Sequence, residues 1–218
     1  MASLRRNYRG KIMSVGANPF AKGNDDPQML LILAQGVALP HLSGVLRLAL
    51  QRADVHWVQK KLGGAELAAV RELGRAQDRI VQRFGERVVS GFERLQGGTG
   101  AMPIAGMQLG QVSDDSLVEQ MTAQEMIERL TKANQPALGQ LGQRLARLAG
   151  RDRLQPQEYP CHPQFIVEAL NASLVGLPVT IDALVVVYRC LEQELAGGLR
   201  PLCDRLNTDL GAAGVLGS

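Results

Sequence analysis

The chain predicts an all-α protein of about seven or eight helices, and three observations carry that expectation. From Ala65 to Gln96, apolar residues recur every three or four positions at Leu67, Val70, Leu73, Ile80, Val81, Phe84, Val88, Phe92 and Leu95, the period of a helix with one buried stripe. Aromatic residues make up only 4% of a chain that is 45% hydrophobic, so Leu, Ala and Val must fill the interior. That composition suits helix-on-helix packing better than a sandwich or barrel built from β-branched and aromatic runs. No segment shows a convincing strand pattern; Ile181 to Tyr188 has β-branched character, but a capping Thr180 before it and Leu191 and Leu195 after it favour a buried helix.

The elements follow in order. Residues 1–26 lack periodicity and are rich in Arg, Asn and Gly, which reads as a mobile basic arm. Helical signals begin at Pro27, a good first-turn residue, with Asp25 or Asp26 as the cap. Pro40 predicts an interruption, after which His41 to Lys61 resumes the apolar spacing until Gly63-Gly64 stops it. Gly74, Gly85 and Gly91 inside the long helix each cost about 1 kcal/mol relative to alanine, and close approach by a neighbouring helix would offset that.

Residues 97–112 are glycine-rich and read as a linker between two helical subdomains, 27–96 and 113–216. Ser113, Asp114 and Asp115 open the next helix, with a kink or short break expected near Asn134 because of Pro136. Arg151 to Pro163 holds three prolines in a polar loop. Pro163 then begins a helix to about Val175, and Thr180 caps another towards Leu195. Gly197-Gly198 is expected to separate a last helix that runs through Leu210.

Charge is unevenly spread. The net charge is +3, yet the first 24 residues hold five of the 24 basic residues and no acid, leaving 19 basic against 21 acidic elsewhere. A basic arm can touch nucleic acid or anionic lipid, although such termini are more commonly just solvated. Three cysteines, Cys161, Cys190 and Cys203, form no C-x-x-C pair and suit a reducing cytoplasm better than a disulfide framework. No continuous run reaches the roughly 18 apolar residues of a membrane span, and no secretory h-region is present. Met1-Ala2-Ser3 and Gly217-Ser218 look like cloning-site residues, so the chain reads as a piece of a longer protein.

Several segments resemble the N-terminal region of a family of uncharacterised bacterial proteins, DUF1631. They are "ADVHWVQKK" before "AAVRELGRAQDRIVQRF", then "LGQVSDDSLVEQMTAQEMIERL", "LGQLGQRLARLAG" and "VVVYRCLEQELAGGLRPLCDRLNTDLGAAGVL". The resemblance covers most of residues 40–216. It implies a longer parent protein, in some members ending in a segment similar to cyclic-di-GMP-binding PilZ domains. Some members carry the label thymidine phosphorylase, but this chain has no glycine-rich phosphate loop in a strand-to-helix setting. The resemblance brings no catalytic residues with it.

The candidate functional residues are few. Arg71, Arg75, Arg79, Arg83 and Arg87 recur every four residues; at roughly 100° per residue they wrap nearly half the helix as a spiral. They offer a surface for phosphate, nucleic acid, a cyclic dinucleotide or an acidic partner. Glu72, Asp78 and Glu86 lie three or four residues away, and stacking aromatics are missing nearby, which favours a solvated face laced with ion pairs. Arg5 and Arg9 form an R-x-x-x-R unit without the D/N-x-S-x-x-G companion of a PilZ domain. Cys161, His162, Cys190 and Cys203 match no familiar zinc spacing and read as buried, unreactive groups. Trp57, the single tryptophan, is either a core anchor or a partner hot spot, with the core favoured by its helical phase.

No spacing in the chain requires catalysis, a metal or a cofactor. The expectation is a non-enzymatic interaction or regulatory module of the bacterial cytoplasm that docks to another protein or to itself. The alternative is binding of an anionic ligand, nucleic acid or a cyclic dinucleotide, through the arginines; an enzyme assembled from scattered residues would need a deep pocket with converging titratable groups.

Overall fold

A computed structural model describes residues 26–59, 64–97 and 114–216. Among the described residues there are five α-helices, one short 3-10 turn and no strand: α1 (Pro27–Gln59), α2 (Gly64–Leu95), α3 (Asp114–Leu148), the turn Pro156–Glu158, α4 (Pro163–Leu174) and α5 (Ile181–Ala212). The all-α class is as expected, but the helices are fewer and longer. Pro40, Pro136 and Pro201 each lie inside a continuous helix, and Gly197-Gly198 does not divide α5.

The prolines are tolerated because of where they point. A mid-helix proline removes one N–H and orphans the carbonyl four residues earlier. Pro40, Pro136 and Pro201 are all exposed, and so are Gly36, Lys132 and Gly197, whose carbonyls lose their partners. Water can satisfy those oxygens, while the opposite face of each helix keeps its bonds and its packing.

Start signals were easier to read. Asp26 caps α1, its Oδ1 accepting from the Gln28 N–H at 3.0 Å. Thr180 Oγ1 accepts from the Ala183 N–H at 3.3 Å and caps α5. At α4 the cap is His162, whose Nδ1 accepts from the Gln164 N–H at 3.2 Å, with Pro163 in the first turn. Residues 1–25 of the expected basic arm and the 98–112 part of the expected linker lie outside the described residues.

The helices form a closed ring in the order α1, α2, α4, α3, α5. Cross-helix pairs fix their directions. Arg47 meets Asp78 and Gly85 meets Leu39, so α2 runs antiparallel to α1. Arg52 meets Glu194 and His41 meets Gly198, so α5 is also antiparallel to α1. Tyr188 meets Glu119 and Asn207 meets Arg144, which makes α5 parallel to α3. Arg83 reaches Val175 and Gly91 faces Phe165, so α4 returns antiparallel along α2.

One contiguous apolar core fills the ring and takes residues from both 27–96 and 113–216, with Phe84, Phe92, Leu46, Leu141, Tyr188 and Leu195 among its most buried members. α1 is apolar at nearly every helical phase because α2 covers one side of it and α5 another. By length and composition alone, Pro27–Val58 would suffice to cross a bilayer, but a core helix passes the same test. Here Leu31, Ala34, Ala38, Leu42, Leu46 and Ala49 of that stretch are all buried in the protein. Glycines permit two of the close approaches: at Gly91 an added Cβ would sit 2.7 Å from Phe165 Cζ, and at Gly85 it would sit 3.3 Å from Leu39 Cδ1.

Candidate interaction surfaces

The arginine series of α2 divides into members with different roles. Arg71, Arg75, Arg79 and Arg83 are exposed and Arg87 is half-buried. Arg75 Nη1 lies 2.6 Å from Glu72 Oε1, one turn back on its own helix. Arg83 Nη1 donates to the Val175 carbonyl at 3.1 Å and lies 3.5 Å from that of Ser173. It therefore serves the C-terminal end of α4, where unpaired carbonyls and the helix dipole favour a cation. Asp78 is taken up by Arg47 of α1 at 2.7 Å, and Glu86 Oε1 accepts from Gln82 at 3.1 Å.

Arg71, Arg79 and Arg87 form no ion pair among the described residues. Further along α2, burial and then the nearby Arg87 charge pull the Arg94 guanidinium below its ordinary value, against Glu158 and Glu168. The outer face of α2 thus mixes both signs, and one of its five arginines has a structural task. The five do not converge on a common point. Arg5 and Arg9 lie outside the described residues.

Trp57 is 4% exposed and sits in the core near the end of α1, with its indole withdrawn from the surface. Cys161, Cys190 and Cys203 are free and buried, and burial raises all three thiols above their ordinary value, Cys203 to about 12. Such thiols are poor nucleophiles and poor metal ligands. His162 is spent as the α4 cap, and burial lowers its pKa.

The surface feature that sequence reasoning missed is apolar. Leu48, Val55 and Val58 of α1 are 53%, 58% and 79% exposed, and Leu117, Val118 and Met121 open α3 in the same manner. A signal was present: α1 carries more apolar positions than a single buried stripe can absorb, which marks a helix covered on several sides. A shallow groove of about 560 Å³ lies between α1 and α2, lined by Leu39, Ser43, Val81, Gly85, Val89 and Ser90. Only Glu86 brings a titratable group to it.

With that geometry in hand, comparison with known proteins gives one result. Residues 31–214 match the family described as "Protein of unknown function (DUF1631) N-terminal domain". The chain belongs to this family. Neither the curated proteins nor the solved structures contain a match. The segment matched runs from the first turns of α1 to the end of α5, so the family corresponds to the whole ring of five helices.

Proposed function

We propose that this DUF1631 N-terminal domain is a non-enzymatic helical docking or regulatory module within a longer bacterial cytoplasmic protein. It works by presenting helix faces to another protein or to a second copy of itself. The observation that carries the reading is the set of large apolar side chains left in water on α1 and α3, Leu48, Val55, Val58, Leu117, Val118 and Met121. Clustered apolar exposure on helices whose other faces are packed is a mark of association surfaces, whereas scattered single exposures are not. Three free, buried cysteines accord with a reducing compartment.

Anionic-ligand binding through α2 is the weaker reading, since Arg75 and Arg83 are already engaged with partners inside the chain. The test is light scattering together with affinity capture from a native lysate of a source bacterium. Self-association or a stoichiometric partner is the expected result. A strictly monomeric protein that recovers nothing would overturn the reading.

A further inference from the structure

Two helices that follow one another in the sequence, α2 and α3, run in the same direction. α1 is antiparallel to both α2 and α5, and α5 is parallel to α3. The C-terminus of α2 and the N-terminus of α3 therefore lie at opposite ends of the ring. Tyr159 and Pro160 fix the register between the two helices. The Tyr159 hydroxyl donates to the Leu138 carbonyl at 3.4 Å and its ring packs at Gly142 of α3, while Pro160 packs at Gly91 of α2. Counted from that level at ~1.5 Å per residue, with an allowance for tilt, Gly97 and Asp114 stand roughly 40 Å apart along the ring.

The sixteen residues 98–113 join those two points. Such a length reaches roughly 55 Å when extended, at ~3.3–3.6 Å per residue, and only roughly 25 Å as a helix. The short way round the ring passes α4. The long way, over α1 and α5, adds a further helix width of roughly 10 Å and uses up the slack.

The surface along the short way is apolar beyond the end of α4. Val175, Pro178, Met121 and Leu117 are all exposed there, Val175 by 69% and Met121 by 54%. At roughly 100° per residue, Leu117 and Met121 fall within roughly 60° of Gly142, the position at which α3 meets Tyr159, whereas Val118 lies roughly 120° away from it. The joining segment has matching chemistry. It carries Met102, Ile104, Met107, Leu109 and Val112, and no residue from 98 to 113 is charged. The outer face of α2 would offer it exposed Arg71, Arg75 and Arg79 instead.

We propose that Val175, Pro178, Met121 and Leu117 form a docking site for residues 102–112 of the same chain. With the distance shared evenly, roughly 2.4 Å per residue, Met107 falls at Val175, Leu109 at Met121 and Val112 at Leu117. Val112 and Leu117 also hold the N′ and N4 places of α3, the two positions of a hydrophobic staple. The site stands apart from the docking reading above, and leaves to that reading Leu48, Val55 and Val58 of α1.

Cysteine pairs in the full chain test this, since the three native thiols are buried. Under copper phenanthroline, Leu109→Cys/Met121→Cys and Met107→Cys/Val175→Cys should close a disulfide within the monomer at least about tenfold faster than Leu109→Cys/Val89→Cys, which samples the α1–α2 groove. Non-reducing gel mobility reads the rates. Met107→Ser/Leu109→Ser keeps the length of the segment and should lower the melting temperature by about 4 °C or more, with an unchanged helical circular dichroism spectrum. On a Met121→Ser/Val175→Ser background the same change should lose most of its effect. Equal rates for the three pairs, faster closure of the groove pair, or an unaltered melt of Met107→Ser/Leu109→Ser overturns the proposal. All of these are read on the monomer, so a failure to find self-association or a lysate partner would overturn the docking reading alone.

Discussion

Arg144 Nη1 lies 2.7 Å from the carbonyl oxygen of Asn207, and the same guanidinium donates to Asn207 Oδ1 and to the carbonyls of Val215 and Leu216. One half-buried side chain of α3 thereby ties down the C-terminal end of α5 and the turn beyond it. That turn is strained: Leu216 has φ 42, a left-handed conformation that costs an L-residue about 1–2 kcal/mol. Asn207 in turn donates to the Ala137 carbonyl at 2.9 Å, so the tie runs in both directions between α3 and α5.

Arg144→Ala should therefore destabilise the domain by about 2–3 kcal/mol, the range for charge-assisted hydrogen bonds left unmade. Urea denaturation measures the loss. Hydrogen exchange should show residues 213–216 opening first, with Arg144→Lys intermediate because a single ammonium cannot reach all four acceptors at once.

Glycines inside the helices should split by environment. Gly91→Ala forces a methyl to 2.7 Å from the buried Phe165 ring and 3.0 Å from Pro160, and should cost about 1–3 kcal/mol. Gly139→Ala and Gly197→Ala place the methyl in open space on an exposed helix face and should each stabilise by about 0.5–1 kcal/mol. Thermal melts of the three single variants check both signs.

His162 makes stability depend on pH. Its Nδ1 must stay unprotonated to accept from the Gln164 N–H, and burial holds its pKa below the ordinary 6.5. The folded state thus binds fewer protons than the unfolded one as the imidazole titrates. Its contribution is present above pH 6.5 and is lost as pH falls through the lowered value. His162→Asn keeps a capping oxygen and should flatten the acid limb of the stability profile, whereas His162→Ala should lose about 1 kcal/mol at neutral pH.

Neighbouring arginines on α2 should respond very differently to truncation. Arg83→Ala removes the cation at the α4 C-terminus and should cost about 0.5–1.5 kcal/mol, while Arg79→Ala should stay within about 0.5 kcal/mol of the parent. Chemical denaturation distinguishes them. Any ligand-binding experiment that reverses both charges at once would confuse a loosened α4 with a lost contact.

Much of the fold was legible because periodicity and caps are local. The stripe from Val70 to Leu95, the Asp26 and Thr180 caps and the Pro163 start all depend on residues within a turn or two of each other. The helix count was less legible, because whether Pro40, Pro136 or Pro201 breaks a helix depends on which face turns to water, and that is decided by helices far away in sequence. Gly197-Gly198 looked like a stop for the same reason; Gly198 instead faces His41 and Val45 across the α1–α5 seam. The role of Arg83 was hidden similarly, since its acceptors lie about ninety residues further along the chain. The apolar richness of α1 is plain in the sequence, but composition cannot say that Leu48, Val55 and Val58 are the positions that stay uncovered.

Because α5 completes the ring, packing on both α1 and α3, a nascent chain that has emerged only as far as α4 cannot yet hide the greasy sides of either. Synthesis must run almost to residue 212 before the interior can shut. During that interval the polypeptide is open to aggregation, and premature stops upstream of Ile181 should give insoluble rather than partly working products.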